Sequence, residues 1–318
     1  MLKVAVLGAG GISGAHVPAW LRIPEVKLVA ICDVMPERLE RYKDTGANLY
    51  EDCEEMFAKE EIDIIDICLP TFLHAEYSIK AMERGINVLC EKPISLNRDD
   101  VARVYATAAA NNVKFMVAHV VRFWPEYVVL RDAFVKGTYG KLLTGLMNRL
   151  GGTPGWSWQD WMKKEECSGL VPFDLHIHDL DYIVYTFGKP VNCITHRARF
   201  EDHDIINATY EFEGGAFITA DSWWYNSGYP FTSSYRFTFE KAVMELKDGR
   251  LMVYPVGKPA FEVKSDGENA DGECINLPAT DAYYEEIRYF TDCVLENKPA
   301  EIIKPEELET VLDLLKQF

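Results

Sequence analysis

The first 120 residues carry apolar side chains in short, nearly continuous runs that alternate with segments of helical spacing. The apolar runs cover residues 3–7, 27–32, 62–68, 87–90 and 114–118. Between them, apolar positions recur every three to four residues over 17–23, 35–42, 75–82 and 101–110. Strands that are apolar on nearly every residue and are separated by helices are typical of a parallel sheet covered on both faces. The pattern predicts a doubly wound α/β domain over residues 1–122.

Beyond residue 122 the pattern changes to longer segments in which apolar and polar residues alternate. Such segments lie at 205–212, 216–223 and 235–239, with glycine turns at 213–215 and 247–249. Alternation with tight glycine turns indicates an antiparallel sheet with one solvated face. A last helix is predicted from Pro305 onward, because proline suits a first helical turn and the apolar residues after it fall on one face. We expect residues 123–318 to form an α+β domain whose C-terminal helices can pack back toward the first domain.

Charge and composition narrow the possible partners. The 318 residues include 33 basic and 50 acidic side chains, a formal charge of −17. This balance disfavours nucleic acid and anionic membranes, which both require a concentrated basic surface. No apolar run approaches the roughly 18 residues of a spanning helix, and the first apolar run is too short for a signal peptide. The eight cysteines lie at least 15 residues apart, which gives no Cys-x-x-Cys pair. These features together predict a cytoplasmic protein.

A glycine-rich loop follows the first predicted strand and precedes a predicted helix. Its sequence is Gly8-Ala9-Gly10-Gly11-Ile12-Ser13-Gly14. In a dinucleotide site the first glycine permits the tight turn, and the second lets the backbone approach a pyrophosphate at the helix N-terminus. Asp33, 19 residues beyond Gly14, ends the next strand, where a carboxylate accepts ribose hydroxyls and repels a 2′-phosphate. The spacing predicts NAD rather than NADP, although Ser13 replaces the usual third glycine; a glycine turn without ligand is the alternative.

Two further segments carry side chains suited to proton transfer. Lys92, in Glu91-Lys92-Pro93, follows the run 87–90 at the edge of the sheet where such folds bind ligands. A lysine there can hold or ionise a substrate hydroxyl, the alternative being an ordinary surface lysine. Asp174 and His178 are four residues apart at a predicted helix start, so they share a face. An aspartate there can orient the imidazole, and the pair can move a proton.

His176 and His178 also have a metal-binding interpretation. On a strand, both imidazoles of a His-x-His pair face the same way, as in metal hydrolases. The other histidines form no obvious second ligand pair, and a helical pattern follows at once. We therefore expect no metal. A capping or core role remains the alternative for each histidine taken alone.

Several motifs, in their order along the chain, resemble those of the Gfo/Idh/MocA family, named after glucose-fructose oxidoreductase, inositol dehydrogenase and MocA. They are Gly8-Ala9-Gly10-Gly11-Ile12, Asp33, Leu69-Pro70-Thr71 with His74, Glu91-Lys92-Pro93, Arg122-Phe123, and Asp174 with His178. The resemblance covers nearly the whole chain. It implies a Rossmann domain followed by an α+β domain with a large, mostly antiparallel open sheet. The flat face of that sheet commonly makes the contact of a homodimer or homotetramer.

The resemblance also implies residue roles. Lys92 would bind the reacting hydroxyl, His178 would take its proton, and Asp174 would support His178. The cofactor would contact the glycine loop and Asp33, and its nicotinamide half would lie along four further residues. These are Gly8, Gly10, Gly11, Ile12 and Asp33 for the first group, and Pro70, Thr71, His74 and Glu91 for the second.

The expected substrate contacts are Arg122, Trp161 and His176. An arginine can hold a hydroxyl or carboxylate, and an aromatic face suits a sugar ring; an interdomain salt bridge and a core aromatic are the respective alternatives. Members of the family commonly have a glycine-rich run before the aspartate and a glycine between it and the histidine. Here those positions hold Leu170-Val171-Pro172-Phe173 and His176. The extra imidazole is expected near the substrate pocket.

These features predict an NAD-dependent dehydrogenase that oxidises a secondary hydroxyl of a sugar, cyclitol or related polyol. One alternative is a glycosidase of the same fold that uses NAD transiently with no net redox change. The other is a sensor of nicotinamide cofactor or sugar without turnover.

Overall fold

The apolar runs at the start of the chain form a parallel six-stranded sheet in the computed structural model, which describes residues 1–264 and 281–318. The strands are β1 (Leu2–Leu7), β2 (Val26–Cys32), β3 (Asn48–Tyr50), β4 (Ile64–Ile67), β5 (Asn87–Glu91) and β6 (Phe115–Ala118). Their spatial order is β3-β2-β1-β4-β5-β6. The order changes direction between β1 and β4, and ligands of doubly wound folds bind at such a switch point, beyond the carboxyl ends of the strands.

Helices surround this sheet and continue through the rest of the chain. They are α1 (Ser13–Leu21), α2 (Pro36–Leu39), α3 (Cys53–Lys59), α4 (His74–Met82), α5 (Asp99–Ala110), α6 (Pro125–Val135), α7 (Glu165–Ser168), α8 (Ile177–Phe187), α9 (Ala282–Leu295) and α10 (Pro305–Leu315). The strand β3 has only three residues, too few to show a hydrophobic period, and the sequence did not predict it.

The chain divides into two compact units. The first contains Met1–Val120 and Asn269–Pro305, and the second contains Val121–Glu268 and Glu306–Phe318. Helix α9 belongs to the first unit and packs on α1. Two ion pairs accompany that contact: Arg22 with Asp281 at 2.8 Å and Arg288 with Glu25 at 2.5 Å.

The second unit is built on an eight-stranded sheet. Its strands are β7 (Leu142–Gly152), β8 (Asn192–Phe200), β9 (His203–Glu211), β10 (Phe217–Tyr225), β11 (Thr232–Phe239), β12 (Ala242–Lys247), β13 (Arg250–Pro255) and β14 (Phe261–Val263). The order is β14-β13-β12-β11-β7-β10-β9-β8. β7 and β10 run parallel, and all other neighbours are antiparallel. The predicted fold class, a doubly wound sheet plus a mostly antiparallel one, is therefore confirmed.

Alternation along these strands gives the sheet one buried face. On β9, Ile206, Ala208 and Tyr210 are fully buried, whereas the residues between them are half-buried. An aromatic cluster joins the covering helices to this face, with the Tyr127 ring of α6 4.8 Å from Tyr182 of α8 and 5.1 Å from Tyr235 of β11. Aromatic edge-to-face contacts of this kind fix the helices on the sheet.

Candidate functional site

The glycine loop has the geometry that a dinucleotide site requires. Gly8, directly after β1, has φ +104°, and a Cβ on it would lie 2.5 Å from the Cys68 carbonyl oxygen. Only glycine fits there. A Cβ on Gly10, by contrast, would have nothing within 4 Å, so the backbone at Gly10 borders open space. Helix α1 begins at Ser13, and its N-terminus is suited to a pyrophosphate.

Asp33 connects the end of β2 to this loop. Its side chain is 7% exposed, and its two carboxylate oxygens accept hydrogen bonds from the backbone N–H groups of Ala9 at 2.7 Å and Met35 at 2.8 Å. The guanidinium of Arg38 lies 3.8 Å away. Each carboxylate oxygen has a second lone pair, so Asp33 can still accept ribose hydroxyls.

Arg41, which the sequence did not single out, braces the loop from the other side. Its guanidinium donates to the Ala9 carbonyl and to the Ser13 hydroxyl, each at 2.7 Å, and also to the Gly10 carbonyl. The Ser13 hydroxyl in turn contacts Tyr42 at 2.8 Å. The serine that replaces the third glycine therefore ties the loop to the segment after α2.

His74 joins the two turns that follow β4 and β5. Its ring is 1% exposed, with Nδ1 2.6 Å from the Pro93 carbonyl oxygen and Nε2 2.7 Å from that of Leu69. Thr71, in the first of these turns, is also buried. The sequence placed His74 along the nicotinamide, but both ring nitrogens contact backbone carbonyls. Its effect on a cofactor would be exerted through the turns that it holds.

The carboxylate of Glu91 is engaged within the protein. One oxygen lies 2.9 Å from His16 Nε2, and the other accepts the backbone N–H of Lys92 at 3.0 Å. The opposite ring nitrogen of His16 lies 2.8 Å from Asp66. The sequence did not single out His16, because its partners are 50 and 75 residues away along the chain.

One group of side chains in the described ranges 1–264 and 281–318 has the composition of a possible metal site. It consists of His16, Asp66 and Cys68, whose potential ligand atoms lie within 4.8 Å of one another. The imidazole and the aspartate already bond each other. Burial raises the pKa of Cys68 to about 12, so its thiol stays protonated at neutral pH. The cluster is better described as a hydrogen-bond network than as a metal centre.

In the second unit, Asp174 and His178 lie on one continuous helical stretch. Residues Pro172–His176 form a π-helical turn that leads directly into α8, and both side chains are half-buried. Four residues apart, they occupy neighbouring turns on one side. Hydrophobic spacing did not predict the π-turn, and such turns recur at functional sites.

His176 lies on the opposite side of this stretch. Two residues turn a helix by about 200°, so His176 faces the sheet while His178 does not. Its ring is fully buried, with Nδ1 2.9 Å from the Ser222 hydroxyl and Nε2 2.6 Å from that of Tyr210. Burial lowers the pKa of His176 to about 3. The extra imidazole, expected from the sequence near the substrate pocket, is placed by the structure in the core, bonded to two hydroxyls of the sheet.

Arg122 also has an internal role. The residue is 2% exposed, and its guanidinium donates two hydrogen bonds to Asp181 at 2.8 and 2.7 Å and one to Glu307 at 2.7 Å. All three residues belong to the second unit. The expected substrate contact is therefore replaced by an ion pair within that unit. Trp161 is half-buried in the 3₁₀ segment Trp158–Lys163.

Comparison with known proteins identifies the family. Residues 2–119 match the oxidoreductase family with an NAD-binding Rossmann fold, and residues 127–245 match the Gfo/Idh/MocA C-terminal domain. The chain belongs to the Gfo/Idh/MocA family. Its first unit therefore contains an NAD-binding Rossmann domain.

Curated relatives of the family include enzymes that act on sugars and cyclitols. The chain is 29% identical over 192 residues to myo-inositol 2-dehydrogenase of Thermotoga maritima, which covers 60% of this chain and 56% of that protein. It is 30% identical over 190 residues to 2,7-anhydro-N-acetylneuraminate hydratase of Mediterraneibacter gnavus, covering 58% and 49%. Matches to the curated relatives span about half to two thirds of their lengths, from 49% to 67%.

A solved structure has the same fold over nearly the whole chain. Levoglucosan dehydrogenase in complex with NADH and levoglucosan superposes with a TM-score of 0.84 at 18% identity, covering 99% of this chain and 95% of the other. Among the described residues, no helix is both long and apolar enough to cross a membrane.

Proposed function

We propose that this protein is an NAD-dependent dehydrogenase that oxidises a secondary hydroxyl of a sugar, cyclitol or related polyol. The observation that carries the proposal is the Glu91-Lys92-Pro93 turn. It begins with the last residue of β5, at the ligand-binding edge of an NAD-binding sheet, and His16 and His74 anchor it. The named relatives, among them myo-inositol 2-dehydrogenase, support the substrate class.

The cofactor would be held by residues of the first unit. The backbone of Gly8, Gly10, Gly11 and Ile12 would receive the pyrophosphate, and Asp33 would accept the adenosine ribose hydroxyls. Pro70, Thr71 and Glu91 would line the nicotinamide half, supported from beneath by His74. When bound, NAD supplies a hydride acceptor at the nicotinamide ring.

The protein's own groups would handle the proton. The Lys92 ammonium would hold the substrate hydroxyl by a hydrogen bond, and the neutral imidazole of His178 would take its proton. Asp174, one turn earlier on the same side, would orient that imidazole and stabilise it once charged. Trp161 would offer an aromatic face to the sugar. Arg122 and His176 are not included, because their side chains are engaged in the core.

Association into a homodimer or homotetramer is also proposed, through the outer face of the eight-stranded sheet. Phe217 and Tyr254 stand in one row of paired residues on that face and are 44% and 43% exposed. Exposed aromatic residues on a flat sheet suit a subunit contact. A cytoplasmic location is part of the same proposal, and the cysteines of the described residues are free.

The test is the absorbance of reduced nicotinamide when the purified protein meets NAD and a panel of sugars, sugar acids and inositols. Steady accumulation with one class would support the dehydrogenase. Lys92→Met should then lower turnover by about 10²- to 10⁴-fold while NAD binding is retained. Lys27→Met, at an exposed lysine of β2 away from the carboxyl edge, is the matched control and should change neither. Near-normal turnover in Lys92→Met would contradict the assigned role.

A second candidate is a reaction without net redox change, such as a glycosidase that uses NAD transiently. The similarity to a hydratase of the same family favours it. It predicts that cofactor stays bound through purification and that the panel produces no free reduced nicotinamide. A sensor without turnover ranks below both, because Lys92, Asp174 and His178 are all present.

A further inference from the structure

A buried chain of charged side chains runs beneath the proposed site. His16 of α1 lies between Asp66 of β4 and Glu91 at the end of β5, with Nδ1–Oδ2 and Nε2–Oε1 distances of 2.8 and 2.9 Å. His16 and Asp66 are fully buried, and Glu91 is 7% exposed. Trp20 donates to the same oxygen of Asp66 at 2.7 Å.

The geometry requires a charged imidazole. A carboxylate only accepts hydrogen bonds, so two carboxylates on opposite ring nitrogens require both nitrogens to donate, as in imidazolium. Burial is the largest influence and opposes this charge, but the charges and hydrogen bonds of Asp66 and Cys68 together raise the pKa of His16 well above its ordinary value. Burial likewise opposes ionisation of Glu91, yet the hydrogen bond and charge of His16, together with the charges of Lys92 and His74, leave its pKa below the ordinary value. The two carboxylates therefore hold His16 from both sides in one buried hydrogen-bonded cluster.

The His16–Asp66–Glu91 cluster ends at the proposed reacting lysine. The second oxygen of Glu91 accepts the Lys92 backbone N–H at 3.0 Å. His16 holds one side of the carboxylate, and the other side holds the backbone from which the Lys92 side chain departs. Because His16 lies in the helix that follows the glycine loop, the same contacts connect the cofactor loop to Lys92.

We propose that His16 is a positioning residue for Lys92: clamped between Asp66 and Glu91, it fixes Glu91, which in turn fixes the Lys92 backbone. The inference rests on the proposed function for the role of Lys92 in turnover. The contacts themselves do not depend on it. Displacement of a reacting group by about 1 Å costs on the order of 10²-fold in rate, so the clamp has a measurable effect.

The experiment uses three variants of the full chain. His16→Asn removes the cation, and Glu91→Gln removes the charge that it holds while leaving His16 paired with Asp66. Trp20→Phe is the matched control, because it removes a 2.7 Å bond to Asp66 but leaves the His16–Glu91 contact. Circular dichroism and cooperative urea unfolding establish that each variant is folded.

The main readout is the NMR titration of the ¹³C-methylated Lys92 amine, assigned by its loss in Lys92→Arg. The proposal expects a changed Lys92 signal and pKa in His16→Asn and Glu91→Gln, and an unchanged signal in Trp20→Phe. With a turned-over substrate, His16→Asn should lower kcat by about 10- to 100-fold, with a dissociation constant for NAD within about threefold of the parent.

An unchanged Lys92 signal in folded His16→Asn would overturn the proposal, as would a stoichiometric metal ion in the parent that His16→Asn loses. If His16→Asn does not fold, Glu91→Gln decides in the same way: a changed Lys92 signal supports the clamp and an unchanged one overturns it. If the parent turns over no compound of the panel, the proposed function fails, while the Lys92 signal still decides whether His16 positions Lys92.

Discussion

Replacement of Arg122 by methionine tests whether this residue belongs to the core or to the substrate site. The guanidinium donates two bonds to the fully buried Asp181 and one to Glu307, and its carbon Cζ lies 4.2 Å from the centre of the Tyr185 ring. Arg122→Met leaves the Asp181 carboxylate buried without its cation. Removing one partner of such a pair costs about 3–5 kcal/mol.

The loss can be measured by urea unfolding. With a slope of about 3 kcal/mol per molar urea, a loss of 3–5 kcal/mol lowers the midpoint by about 1–2 M. Tryptophan fluorescence reports mainly on the second unit, because six of the seven tryptophans lie between residues 121 and 268 and only Trp20 lies in the first unit. The signal therefore follows the unit that contains the ion pair.

A double variant separates the ion pair from other causes. Arg122→Met/Asp181→Leu replaces both charges by apolar groups and should recover most of the lost stability, since Glu307 is partly exposed and tolerates solvent. A loss below about 1 kcal/mol in Arg122→Met, together with a raised KM for substrate, would refute the assignment to the core. It would restore the interpretation of Arg122 as a substrate contact.

Three further changes test the cofactor site and the core. Asp33→Ala should weaken NAD by about 10- to 100-fold and NADP far less in a binding titration; equal losses would contradict the ribose assignment. Gly8→Ala should abolish NAD binding in the same titration, because its Cβ would lie 2.5 Å from the Cys68 carbonyl. His176 stays neutral in the fold down to about pH 3 but titrates near 6.5 when unfolded. The unfolded chain therefore binds more protons between these values, and the free energy of unfolding decreases as the pH is lowered. Between pH 7 and pH 5 the decrease in the free energy of unfolding amounts to about 2 kcal/mol. Urea titrations at these two pH values should show this decrease in the parent and lose it in His176→Gln. An identical pH dependence in both proteins would contradict the burial of a neutral His176.

Much of the fold could be predicted because it rests on periodicity. The continuous apolar runs became the parallel strands β1, β2, β4, β5 and β6, and the alternating segments became β9, β10 and β11. In the last helix, Leu308, Val311, Leu312 and Leu315 are buried, as their common face predicted. These features depend on residues close in sequence, where a period of two or 3.6 is visible.

The parts that could not be predicted depend on contacts distant in sequence. Arg122 meets Asp181 and Glu307 across 59 and 185 residues. An isolated arginine after a strand gives no sign of such partners. The same holds for His16, whose carboxylates lie on two different strands. Its only local signal is that it falls in the first turn of the helix after the glycine loop.

The departure of this chain from its family before Asp174 can now be assigned largely to packing. Leu170, Val171 and Pro172 are buried, and His176 bonds to the sheet. Phe173 is the half-buried member of the group, and its ring would collide with any Cβ on Gly169, at 2.4 Å. Because the other changes face the core, they do not alter the side of the helix that carries Asp174 and His178. A difference in substrate choice from other members should therefore be sought at Phe173 before His176.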